Sequence, residues 1–193
     1  MGTAFSLDIA LIHYPVVNKK QEVVGSAVTN LDLHDIARAG RTFGVRSYWV
    51  VTPYRQQQEL AASIAGHWTE GYGGRVNPDR ADALSLLQIR ANLEQVLAEI
   101  GEQDRRKPLV IATSAGHRRK KMSFQAVRTA LQKDRTVLLL LGTGWGLAPQ
   151  VLDQADAVLP PIRGAGAYNH LSVRSAASIC LDRLCGIREE ERP

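Results

Sequence analysis

Residues 142–146, Gly-Thr-Gly-Trp-Gly, set three glycines at alternate positions directly after the aliphatic run Val137–Leu141. Glycine admits backbone angles closed to other residues and lets a ligand approach the main chain, so this stretch suits a ligand held by peptide groups. A second small-residue stretch, Thr113-Ser-Ala-Gly116, and a third, Pro160-Pro-Ile-Arg-Gly164, also follow apolar runs. Positive charge is placed elsewhere. His34, Arg38 and Arg41 recur at helical spacing and put an imidazole and two guanidinium groups on one side, a set able to hold phosphate. Arg105-Arg106-Lys107 and Arg118-Arg119-Lys120-Lys121 bracket the segment Pro108–His117. Each signal alone has a plainer reading as a tight turn, a solvated helix face or a charged surface loop.

Several nucleotide sites are excluded by what is missing beside these residues. A phosphate-binding loop needs Gly-Lys-Ser/Thr to reach a β/γ-phosphate and magnesium, and none follows Gly146. A dinucleotide fingerprint wants a different glycine spacing, early in the chain, with an acidic residue further on. There is no His-x-Glu with a Cys pair for a zinc deaminase and no Gly-x-Ser-x-Gly nucleophile elbow. Cys180 and Cys185 fall on one predicted helix with no Cys or His at zinc-like spacing, and read as small apolar fillers. What remains is a pocket of main-chain groups and apolar walls, without a metal.

The elements that must position these residues follow from the apolar pattern. Val137–Leu141 has no solvent face and belongs to a strand covered on both sides, as parallel strands are. Phe5–Tyr14, Arg46–Pro53, Pro108–Thr113 and Ala157–Leu159 read as further strands, and Gly25–Thr29 as a short extended piece. Asn30–Gly44 reads as an amphipathic helix burying Leu33, Ile36, Ala37 and Gly40, with Asn30 or Asp32 capping its start. Gln57–Trp68, Ser123–Lys133 and Ala148–Gln154 are predicted helices, and Gly71–Asn77 a loop. Asp79–Ile100 reads as one long helix with Leu86, Ile89, Leu93, Val96, Leu97 and Ile100 along one face. Asn169–Cys185 is the last helix, capped by Asn169 or Ser172. The alternation gives an α/β class, a mostly parallel sheet with helices on both faces, in a single domain over residues 1–193. A net charge of +5 and a pI near 9.5 suit a polyanionic partner. No apolar run nears the roughly 20 residues that span a bilayer, and no secretory signal pattern opens the chain, so the expected location is cytoplasmic.

Three segments together resemble the SPOUT superfamily of S-adenosylmethionine-dependent RNA methyltransferases, and within it a bacterial branch of predicted RNA methyltransferases. They are Asn30–Arg38 (Asn-Leu-Asp-Leu-His-Asp-Ile-Ala-Arg), Gly142–Leu147 (Gly-Thr-Gly-Trp-Gly-Leu) and Tyr168–Ala176 (Tyr-Asn-His-Leu-Ser-Val-Arg-Ser-Ala). The resemblance implies a deep C-terminal trefoil knot, an exception to the unthreaded-chain rule, a homodimer built on the knot region, and S-adenosyl-L-methionine as cofactor. It implies a pocket with Thr113, Ser114 and Ala115 on one wall, and Gly142, Thr143, Gly144 and Gly146 bringing main-chain groups to the ligand under Leu147. Leu159, Pro160 and Ile162 would flank the adenine, while Asn169, His170, Leu171 and Ser172 close the site, with Arg174 facing the cofactor carboxylate or a dimer partner. Asn30, His34, Asp35 and Arg38 would position the acceptor and handle its proton, with Arg41, Arg118, Arg119, Lys120 and Lys121 meeting RNA. The ribose-methylating members carry Asn and Arg in the first motif at a slightly shorter separation than Asn30 to Arg38, so the resemblance leaves the target atom open.

The leading expectation is therefore a methyltransferase acting on tRNA or rRNA. A second is an RNA-binding or regulatory protein that keeps the cofactor pocket without catalysis. A third is a small-molecule nucleotide enzyme for which the basic clusters are incidental.

Overall fold

A computed structural model describes residues 5–114 and 120–187. In chain order the elements are β1 (Leu7–Ile12), β2 (Val16–Val17), β3 (Val23–Val24), α1 (Asn30–Thr42), β4 (Ser47–Val51), α2 (Arg55–Thr69), α3 (Tyr72–Val76), α4 (Pro78–Leu84) and β5 (Leu87–Arg90). They continue with α5 (Leu93–Asp104), β6 (Leu109–Ala112), α6 (Phe124–Gln132), β7 (Val137–Gly142), α7 (Pro149–Asp153), β8 (Ala157–Val158) and α8 (Val173–Cys185).

Six strands form one sheet in the order β5-β4-β1-β7-β6-β8, every pair of them parallel. The two most apolar strands, β1 and β7, lie side by side in the middle, with Ile9 opposite Leu139 and Ile12 opposite Gly142. Successive side chains point to opposite faces. Leu7, Ile9 and Leu11 therefore pack with residues of α1, α4, α6 and α8, while Ala10 and Ile12 pack with α5 and α7. Leu138, Leu139 and Leu140 are fully buried, and each such side chain contributes about 1.5–3 kcal/mol relative to exposure. Among the described residues no helix is long and apolar enough to cross a membrane.

The expected strands and the helices over 30–44, 57–68, 123–133 and 148–154 are all present with shifted ends. The single helix expected over 79–100 is not. Residues 87–90 instead form edge strand β5, joined to β4 by Tyr48 N–H to Leu86 O (2.8 Å) and Thr52 N–H to Arg90 O (3.0 Å). Asn92 then opens α5, its side chain accepting from the Gln95 N–H at 2.9 Å. Leu86, Ile89 and Leu93 are spaced three and four apart, which fits one helical stripe or a short strand followed by a new helix; pairing with β4 decides. A short helical turn, α3, lies in the predicted loop over 71–77, and the strand near 25–29 is instead β3, antiparallel to β2. The cap of α1 is Thr29, whose Oγ1 accepts from Asp32 N–H, not Asn30 or Asp32. The last helix begins at Val173 with Ser172 as its cap.

Candidate functional site

The glycine loop after β7 is shaped by the β2–β3 hairpin lying across it. Val17 N–H donates to Gly146 O and Trp145 N–H donates to Val17 O, each at 2.9 Å. Gly144 has φ +59° and an added Cβ would stand 3.1 Å from the Val17 carbonyl; at Gly142 it would stand 2.7 Å from the Leu147 nitrogen. Neither position tolerates a side chain without displacing main chain, so both glycines are required by the close approach.

Two cavities adjoin at this loop. The larger, about 630 Å³, is within the size range of small-molecule sites. Gly142, Gly144, Gly146 and Leu147 line it from the glycine loop, Thr113 and Ser114 from the end of β6, and Leu159, Pro160 and Ile162 from the turn after β8. Asn169, His170 and Leu171 complete it ahead of α8. The smaller, about 370 Å³, is lined by Ser26, Thr29, Asp32, Thr143 and Ser172 among others. The two share Thr113, Gly142, Gly144, Leu171 and Ala176 as a common wall. The three turns expected to converge thus do so, although Thr143 and Ser172 face the smaller cavity; Ala115 lies outside the described residues.

The larger cavity takes apolar walls from Leu147, Leu152, Leu159 and Ile162. It is also lined by Cys180, whose thiol burial pushes up to about 12, so it stays protonated near neutrality and is no nucleophile. The smaller cavity is more polar, and Asp32 supplies its carboxylate. That side chain is 13 % exposed, accepts from Thr29 Oγ1 at 2.7 Å, and lies 3.4 Å from Arg174 Nε. The same guanidinium reaches Asp35 at 3.3 Å, tying the first turn of α8 to the first turn of α1. Arg174 is thereby engaged within its own chain.

Next to the smaller cavity, behind Ser26, stands His13, fully buried, its Nδ1 3.0 Å from Ser26 Oγ. Ser26 Oγ in turn bonds Thr143 Oγ1, which donates to the Ile12 carbonyl at 3.0 Å. Among the described residues His13 Nε2 has no hydrogen-bond partner. Burial pushes the imidazole below its ordinary pKa, against the pull of Asp32, and holds it neutral.

Sequence reasoning gave Asp32 a capping role and did not single out His13 or Ser26. His13 and Ser26 belong to no glycine- or charge-rich motif, and the β2–β3 hairpin between them brings them together; Asp32 lies within Asn30–Arg38 but reads there as a residue of a helix start. Trp145 and the hairpin residues Val17 and Gln21 also line the larger cavity unpredicted. Asn30, His34, Asp35 and Arg38 line neither cavity. His34 Nδ1 donates to Asn30 O at 2.9 Å and its ring meets Trp68 edge-on, while Arg38 is exposed. Arg41 forms a bidentate pair with Asp82. Lys120 and Lys121 are exposed beside β8, where Val158 N–H donates to Lys120 O at 2.9 Å; Arg118 and Arg119 lie outside the described residues.

A family profile described as SAM-dependent RNA methyltransferase matches residues 6–186. A protein of Oleidesulfovibrio alaskensis named tRNA (guanine-N(1)-)-methyltransferase is 45 % identical over 181 residues, covering 94 % of this chain and 42 % of that protein. The chain thus spans about two fifths of that relative's length. An uncharacterized protein of Aquifex aeolicus is 36 % identical over 91 % of this chain and 86 % of its own. Among solved structures, the SpoU methyltransferase AviRb of Streptomyces viridochromogenes, in complex with the cofactor AdoMet, superposes with a TM-score of 0.59. It is 13 % identical, with 96 % of this chain and 61 % of that one covered, a likeness of fold.

Proposed function

The chain belongs to the SAM-dependent RNA methyltransferase family, and from that premise we propose that its larger cavity takes the methyl donor and its smaller cavity the nucleotide to be methylated. The observation that carries this reading is the wall they share, with apolar sides and a bare main chain on one side of Gly142 and Gly144 and a carboxylate on the other. S-adenosylmethionine, when bound, supplies a methyl group on a sulfonium sulfur. Gly142, Gly144 and Gly146 would hold it through main-chain groups, with Leu147, Leu159 and Ile162 covering the adenine. The sulfonium is a cation, and among the described residues the cavity lining itself holds no lysine or arginine to repel it.

Within the smaller cavity the protein's work is alignment and removal of a proton. Asp32 is the group for the second task, since it is the acidic residue that lines the cavity and Thr29 fixes its carboxylate. Asn30, His34, Asp35 and Arg38 retain the role of meeting the nucleotide from the outer side of α1, where Arg38 serves as a phosphate clamp and not a base. Lys120 and Lys121, with Arg118 and Arg119, would give RNA a basic landing surface, and Arg41 would join them only by leaving Asp82. The guanine-N1 activity in the relatives' names belongs to proteins more than twice the matched length, so it does not assign an acceptor to this part of them.

The trefoil knot and the homodimer belong to the same proposal. Strand β8 lies between β6 and Lys121, two parts of one chain joined through residues 113–120. The chain leaving β8 must reach α8 on the opposite face from α7, and we propose that it does so by a threaded path. Cross-linking followed by mass measurement tests the dimer.

The central test is calorimetric titration with S-adenosylmethionine. The wild-type chain should bind it, and Gly144→Val, whose side chain displaces the loop main chain, should abolish binding at temperatures where the variant is still folded. Arg38→Ala should lower turnover more than donor affinity; full activity removes Arg38 from the site. Donor binding without methyl transfer to unmodified tRNA or rRNA would overturn the enzyme in favour of an RNA-binding protein that keeps the pocket.

A further inference from the structure

The hydroxyl hydrogens around the smaller cavity can be assigned from their acceptors. Thr143 Oγ1 donates to Ile12 O at 3.0 Å, Thr113 Oγ1 to Leu140 O at 3.0 Å, and Thr29 Oγ1 to Asp32 Oδ2 at 2.7 Å. With its own hydrogen directed to Ile12, Thr143 accepts from Ser26. The alternative acceptor for Ser26, the His13 carbonyl, stands further off at 3.4 Å. Ser26 then has no hydrogen left for His13, so the imidazole donates from Nδ1 and leaves Nε2 a bare lone pair. One directed chain runs His13 to Ser26 to Thr143 to the backbone of β1.

All four of those hydroxyls line the smaller cavity, together with the Asp32 carboxylate. With the hydrogens so directed, these four side-chain oxygens turn lone pairs to the cavity. Ser172 is the remaining hydroxyl, already paired with Ser175 at 3.0 Å.

We propose that the smaller cavity selects a nucleophile carrying its own hydrogen, and that His13 is a positioning residue that sets this preference through Ser26 and Thr143. The inference rests on the reading that the nucleotide to be methylated enters this cavity. A guanine or uracil ring N–H, an exocyclic amine or a ribose hydroxyl would find acceptors there. The bare ring nitrogens of adenine N1 or guanine N7 would meet lone pair with lone pair, which is repulsive. In the transfer, the nucleophile's electron pair forms the new bond to the methyl carbon and the carbon–sulfur bond breaks with its pair passing to sulfur. The nucleophile's hydrogen leaves as a proton to the Asp32 carboxylate, which neutralises it.

Two measurements test this. Nitrogen NMR of the protein without donor should show His13 protonated at Nδ1 and bare at Nε2; the opposite tautomer overturns the assigned chain. Nucleoside mass spectrometry of RNA methylated by the protein should find the methyl on a nitrogen or oxygen that bore hydrogen. A methyl on a bare ring nitrogen or on carbon overturns the inference and leaves the methyltransferase standing; donor binding with no methyl on any RNA overturns both. Thr143→Val should lower kcat about 10-fold or more through misplacement of the nucleophile, with donor affinity unchanged and Thr143→Ser restoring the rate. His13→Asn, which keeps a donor near Nδ1, should retain more activity than His13→Leu. Equal loss in the two His13 variants, or an unchanged kcat in Thr143→Val, overturns the positioning role.

Discussion

The two ends of the parallel sheet are built on opposite principles. At the end where strands begin, Arg46 donates to both oxygens of fully buried Asp8 and to both oxygens of Asp104 (2.7 and 3.1 Å), and Thr136 donates to Asp104 at 2.7 Å. Charges there are closed on one another. At the end where strands finish, the loops are bare glycine, two cavities open, and a buried imidazole keeps one nitrogen unpaired. Groups satisfied within the protein stabilise it and have nothing left for a ligand; groups left half-satisfied are the ones a substrate can complete. Ligands of open α/β sheets gather at that second end for this reason as well as for topology.

The sharpest way to test the division is to damage one end at a time. Asp32→Asn removes the carboxylate but keeps the shape, and should lower kcat by about 100-fold or more, in the range for a lost general base, with donor affinity nearly unchanged when measured well below the melting point, which the lost pairing with Arg174 lowers. A loss under about threefold would take Asp32 out of the reaction.

Arg46→Ala should do the reverse. It leaves Asp8 and Asp104 buried or half-buried beside no cation, at a cost of about 3–5 kcal/mol in stability, read from a denaturant midpoint. Donor binding measured well below the melting point should hold. If binding fell together with stability, the two ends would not be independent.

The smallest effect expected is in acid. The unfolded chain's His13 takes a proton below the ordinary imidazole pKa of about 6.5, whereas the buried ring in the fold resists it. The unfolded state then binds more protons, so stability present above that pH is lost as pH falls below it. Asp104, held low by Arg46, acts the same way only in the more acidic carboxylate range. His13→Asn should therefore flatten the first part of the acid stability curve and leave the second; a curve unchanged by this substitution would show that other groups govern it.

Legibility in the sequence was uneven, and the unevenness has causes. Val137–Leu141 is apolar at every position, so its place at the centre of a covered sheet could be read directly. The region 79–100 could not, because its apolar spacing satisfies a helix and a strand-then-helix equally and only the exposed edge of β4 separates them. The glycine loop announced a ligand by composition. Asp32 reads as an ordinary acidic residue in the first turn of a helix, which it also is.

The amino-acid order by itself determined the class of fold, the buried strands and the three bare turns, since apolar period and glycine placement act over a few neighbouring residues. What only the folded chain decided is which side of α1 faces the cavity, that His13, Ser26 and Thr143 meet across 131 residues of sequence between Ile12 and Thr143, and which way their hydrogens run. Those depend on distance and direction between remote groups, and neither is written in the spacing of residues along a chain.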